Sequence, residues 1–158
     1  MPQYKIMQIK VYGAVLDIPD FLEPFWPYDL ELIDFPTFCG AGQGLGDKLI
    51  KDIRCEVNTA PACLVHDVEW TLCDKSYFDA IMSNVRLYKN TRSLLLANYN
   101  KDKYSQKEVE WESFKVFVGV TWGIFFHFKP TPEKCGNNRP WGHRHFRKLI
   151  TRLKNVKR

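Results

Sequence analysis

TAPACLVHDVEWTLC, residues Thr59 to Cys73, predicts a helix with a polar pair at its middle. Thr59 suits the N-cap position, and Pro61 falls in the first turn, where its missing N–H costs little. No glycine interrupts the run. At helical spacing Cys63, His66, Asp67 and Trp70 share one face, while Leu64, Val65, Val68 and Leu72 lie mostly opposite. A helix apolar on one side, with a histidine and a carboxylate on the other, holds either a satisfied polar patch or a site.

Downstream, Asp74-Lys75-Ser76 breaks the pattern and a second helix is predicted from about Tyr77 to Asn98. Phe78, Ile81, Met82, Val85 and Tyr88 are its expected buried stripe. So short a connection predicts an antiparallel hairpin with the first helix. Asp79 then lies about one turn from His66, where its carboxylate either reaches the imidazole or caps the helix; Asp74 is the more natural cap. A third helix, about Glu108 to His127, is expected to be largely buried against the hairpin, and its Gly119 and Gly123 would permit close packing.

Upstream, Phe38 to Gly46 (FCGAGQGLG) has four glycines in nine positions. It fits neither the phosphate-binding loop nor the dinucleotide fingerprint. A loop of this kind can turn successive carbonyl oxygens toward a hard cation. A short helical turn is expected at Asp47 to Asp52. Tyr4 to Leu16 alternates roughly and predicts short strand structure broken at Gly13. Pro19, Pro24 and Pro27 exclude a regular helix from the aromatic stretch that follows, which is expected to run as an extended arm packing Phe21, Phe25 and Trp26 onto the body. The expected class is mainly α (α+β).

The chain has 158 residues, 45 % hydrophobic and 15 % aromatic, enough for one folded domain with a core. Of 23 basic residues, 8 lie from Arg139 onward, where no acid occurs; the first 138 positions hold the other 15 against 18 acids, a net −3. The division is thus a globular unit at 1–138 and a basic segment at 139–158, within which His145 to Val156 has amphipathic helical spacing. Such a segment docks on its own core, lies on an anionic membrane or touches nucleic acid; no nucleic-acid-binding motif accompanies it. The N-terminus lacks the apolar run of a secretory leader, and no stretch is long enough for a confident membrane span. Five cysteines, an odd number, leave at least one unpaired within a monomer, and reduced thiols are expected unless the protein leaves the cytoplasm by another route; localisation is otherwise unspecified.

Together these stretches resemble the phospholipase A2 superfamily. Phe38-Cys39-Gly40-Ala41-Gly42 stands where that family has a glycine-rich loop, and Ala62 to Trp70 (ACLVHDVEW) where it has a Cys-x-x-His-Asp helix. Viral phospholipase domains, and phage and bacterial proteins with a further Asp-Lys-Leu element (here Asp47-Lys48-Leu49), are also similar. The likeness covers about a third of the chain, Phe38 to Val85.

The resemblance implies a calcium-dependent phospholipid acyl-ester hydrolase. The carbonyls of Phe38, Gly40 and Gly42 with the carboxylate of Asp67 would bind Ca²⁺. His66 would be the general base, Asp79 its carboxylate partner, and Gly40 N–H an oxyanion donor. Trp70 stands where a tyrosine usually supports the aspartate, and Gln43 replaces a loop glycine. Cys39 and Cys63 match a disulfide pair of secreted members. The implied partners are a phospholipid surface as substrate and a virion or other protein. Three rivals remain: a catalytically silent relative, a zinc domain using Cys39, Cys63, His66 and Cys73, and a nucleic-acid module built on the basic segment.

Overall fold

The computed structural model describes residues 4–25, 53–71 and 76–127. The glycine-rich loop, the Asp47 to Asp52 turn, the arm beyond Phe25 and the basic segment lie outside the described residues.

The chain enters as a hairpin of β1 (Ile6–Val11) and β2 (Ala14–Pro19), paired antiparallel from Ile6 with Pro19 to Val11 with Ala14. The predicted break at Gly13 is the hairpin turn. Tyr12 (φ 49°) and Gly13 (φ 76°) both have positive φ, the two-residue geometry that matches strand twist. On β2 the alternate residues Ala14, Leu16 and Ile18 turn inward and are buried. A 3₁₀ turn, Asp20–Phe25, follows with Leu22 buried, and Asp20 N–H donates to Lys5 carbonyl at 2.9 Å.

A second, minimal hairpin joins β3 (Ile53–Arg54) to β4 (Val57–Asn58). Its turn, Cys55 (φ 47°) and Glu56 (φ 63°), takes the same left-handed geometry without glycine. It delivers the chain to α1 (Ala60–Thr71). Thr59 carbonyl accepts from Ala62 and Cys63 N–H, and Asn58 Oδ1 accepts from Ala60 N–H.

Helix α2 (Tyr77–Asn98) starts at a capping box: Ser76 Oγ accepts from Asp79 N–H while the Asp79 carboxylate accepts from Ser76 N–H. Helix α3 (Gln106–His127) begins with the same device between Ser105 and Glu108. Helices α2 and α3 run antiparallel: Ala80 clusters with Ile124, Asn84 bonds Thr121, Tyr88 meets Phe117 edge-on and Arg92 pairs with Glu110.

The core lies where β2, α1 and α2 meet, built on Leu16, Ile18, Val65, Val68, Leu87, Leu94 and Leu95 with Val109 and Val116 of α3. Asn90 pins β2 to α2. Its Oδ1 accepts from Asp17 N–H and its amide donates to Asp17 carbonyl, each at 2.8 Å, so one side chain replaces a missing strand neighbour. The architecture is mixed α+β and mostly helical: three helices with two short antiparallel strand pairs among the described residues.

Three expectations need correction. Helix α1 buries its polar side as fully as its apolar one; every described side chain from Thr59 to Glu69 is buried. The expected stripe of α2 is not its inner face. Phe78, Ile81 and Met82 are exposed, and Ala80, Ser83, Asn84, Leu87, Asn90 and Thr91 turn inward instead. The inner face is polar because α1 and β2 present polar groups that must be satisfied. Finally, α3 buries only one side, with Trp111, Phe114, Val118, Trp122 and Phe125 exposed.

Candidate functional site

Midway along α1, His66 and Asp67 are 3 % and 4 % exposed. A buried imidazole needs both nitrogens satisfied. His66 Nε2 lies 2.8 Å from Asn84 Oδ1 of α2, and Nδ1 lies 3.3 Å from Asp67 Oδ1. The Asn84 amide donates in turn to Thr121 Oγ1 of α3 at 3.3 Å. With the carboxamide oxygen facing Nε2, that nitrogen would carry the proton and Nδ1 keep its lone pair; with the amide turned, Nδ1–H would donate to Asp67. Three helices thus converge on one imidazole.

The expected partner of that ring was Asp79. Asn84 Oδ1, rather than the Asp79 carboxylate, occupies the hydrogen-bonding position on Nε2. Asp79 Oδ2 accepts from Ser76 N–H at 3.0 Å and from Ser76 Oγ at 2.8 Å, the helix-capping role that was its alternative. Asn84 went unrecognised because asparagine inside a helix carries no sequence signal of its own; only its position facing His66 singles it out.

Behind the pair, Glu69 is fully buried yet charged. Arg86 Nε donates to both its oxygens at 3.0 and 3.1 Å and Arg86 Nη2 donates at 2.5 Å; Ser83 Oγ and Tyr4 Oη donate at 3.0 and 2.8 Å. Burial first, and then the Glu69 charge, push the Tyr4 phenol far up, so it stays protonated as a donor. The network ties the N-terminal segment, α1 and α2 together one turn beyond His66. Losing one partner of such a buried pair costs about 3–5 kcal/mol. Sequence reasoning missed Glu69 as well; the clue was a carboxylate on the apolar side of α1.

Of the expected Ca²⁺ donors only Asp67 is described; Phe38, Gly40 and Gly42 lie outside the described residues, as do Cys39 and the Trp70 side chain. The described residues hold no group of three or more His, Cys, Asp or Glu side chains that would grip a metal. The chemistry of Asp67 nonetheless fits a hard cation. In the Nε2–H tautomer its oxygen and the Nδ1 lone pair would both be acceptors at 3.3 Å, and positive charge nearby would relieve their repulsion.

Cys63 is disulfide-bonded, while Cys55 is a free thiol. This corrects the expectation of reduced thiols throughout and removes Cys63 from any zinc set, since a half-cystine supplies no thiolate. No helix among the described residues is long and apolar enough to cross a membrane.

Comparison with family models, with curated sequences and with solved structures finds no match to this chain.

Proposed function

We propose that the protein is a calcium-dependent phospholipid acyl-ester hydrolase with His66 as general base. The observation that carries this is the orientation of one buried imidazole: Nε2 toward Asn84 Oδ1, Nδ1 beside the Asp67 carboxylate. Nδ1 would take a proton from water as its oxygen attacks the ester carbonyl carbon. The tetrahedral oxyanion collapses, the carbon–oxygen bond to the lysophospholipid breaks, and the imidazolium returns the proton to the departing alkoxide. Fatty acid and lysophospholipid are the products.

Asp67, with the carbonyls of Phe38, Gly40 and Gly42, would hold Ca²⁺, and Gly40 N–H would assist at the oxyanion. When bound there, Ca²⁺ polarises the ester carbonyl as a Lewis acid. Asn84 would hold the ring and, with its oxygen toward Nε2, set the tautomer that leaves Nδ1 as the base. A neutral carboxamide gives the imidazolium less stabilisation than a carboxylate does, so turnover should be slow. The same neutral partner also favours a second reading, a catalytically silent relative serving as a structural or virion-associated protein.

The test is fatty-acid release from mixed phospholipid vesicles with Ca²⁺ or with chelator, comparing wild type with His66→Ala. Release that needs Ca²⁺ and falls at least about a hundredfold in the variant is expected. Equal release by a folded His66→Ala protein removes His66 as the base. No release by either favours the silent relative.

A further inference from the structure

Helix α3 carries Trp111, Phe114, Trp122 and Phe125 at intervals of three to eight residues that keep them on one side, and they are 59, 44, 67 and 78 % exposed. On α2, Phe78 and Ile81 are 69 and 42 % exposed. The inner face of α2 meets β2 and α1, Val109 and Val116 of α3 join the same core, and the seam between the two helices runs through Ala80–Ile124, Asn84–Thr121 and Tyr88–Phe117. Helical spacing therefore puts both exposed sets on the outer side of the α2–α3 pair, next to each other across the seam. Ring centroids 5.8 Å apart for Trp111–Phe114 and 6.5 Å apart for Trp122–Phe125 show an aromatic surface already self-packed. Isolated exposed apolar residues are ordinary; a joined aromatic face is not.

Its chemistry selects the partner. Positions 113 to 127 contain no acid and one lysine, Lys115. Tryptophan and phenylalanine favour the boundary between acyl chains and headgroups. The helix is not one that can cross a membrane, so it would lie in the plane. The chain leaving its end reaches, by Arg139, a stretch with 8 basic and no acidic residues. An apolar face combined with a basic cluster is the two-signal combination that holds a protein on anionic lipid. A second copy is the poorer fit, because two molecules of net +5 repel where an anionic surface attracts.

We infer that the outer face of α2 and α3 is a docking surface for an anionic phospholipid bilayer. Docking does not need hydrolysis, so the two proposals fail separately.

The test uses the full chain in chelator, which stops any calcium-dependent turnover, with vesicles of phosphatidylcholine alone or with about one-third phosphatidylglycerol. The wild type is expected to sediment with the anionic vesicles and its tryptophan emission to shift to the blue. Trp122→Glu with Phe125→Glu should weaken that binding at least about tenfold, as should Phe78→Glu on the other helix. Ile53→Glu, on exposed β3, should leave it unchanged. Circular dichroism confirms that each variant is folded. Wild-type strength in the folded aromatic variants overturns the proposal. So does absence of wild-type binding, including the case in which these substitutions dissolve a dimer instead.

Discussion

An imidazole nitrogen 2.8 Å from a carboxamide and another 3.3 Å from a carboxylate can be satisfied by two proton patterns. In one, Nε2–H donates to Asn84 Oδ1 and Nδ1 keeps its lone pair. In the other the Asn84 amide is turned, its NH₂ donates to Nε2, and Nδ1–H donates to Asp67. Thr121 serves either, since a hydroxyl both donates and accepts. Only the first leaves a base where water can be activated. The hydrolase therefore requires the Nε2–H tautomer of neutral His66. Nitrogen-15 spectra of labelled protein should show a protonated Nε2 and a lone pair at Nδ1. A protonated Nδ1 with Nε2 bare would mean that Asp67 blocks the base. The helix that carries His66 and Asp67 side by side was legible in the sequence. Their partner was not, because the choice between Asp79 and Asn84 is a matter of helix rotation, and the capping box that occupies Asp79 is set by Ser76.

At the scale of elements, the helices begin where side chains satisfy their first N–H groups. Glu108 illustrates the consequence for pH. The Ser105 backbone N–H, and then its hydroxyl, hold the Glu108 carboxyl below the usual glutamate range. An acid depressed in the folded state stabilises above its unfolded value, and the gain is lost as pH falls through the folded one. Acidification below the ordinary glutamate range should thus fray the first turn of α3. Amide exchange at Lys107 to Val109 should quicken there; Ser105→Ala, which keeps the backbone donor, should lessen the pH dependence and Glu108→Gln should remove it, whereas a first turn indifferent to acid in the wild type would contradict this. The helices were legible in sequence to within about two residues of their ends, as expected for frayed termini. The facing of α2 was not. Phe78, Ile81 and Met82 have the spacing of a core stripe, yet Ser83, Asn84 and Asn90 turn inward because Glu69, His66 and the Asp17 backbone need partners. Hydrophobic periodicity cannot see a demand made by another element.

Among the described residues, the inner side of the helices is buried, polar around His66 and apolar around Leu87, Leu94 and Leu95, and the outer side of α2 and α3 exposes aromatic residues. The polar side holds the His66 centre, supported from behind by Glu69 and Arg86. The aromatic side is where a lipid surface would be met. The proposed hydrolase would be limited by Asn84, the neutral member of its centre. Supplying a charge there should speed it, since a carboxylate stabilises the imidazolium formed during attack. Asn84→Asp is nearly isosteric and remains within reach of Thr121. The most direct measurement is fatty-acid release from anionic vesicles in Ca²⁺ by the wild type and by Asn84→Asp. Slow calcium-dependent release by the wild type, raised at least about tenfold in the variant, is the predicted result. Folded proteins that release nothing in either form, with or without calcium, would contradict the account and leave a packed scaffold in place of an enzyme.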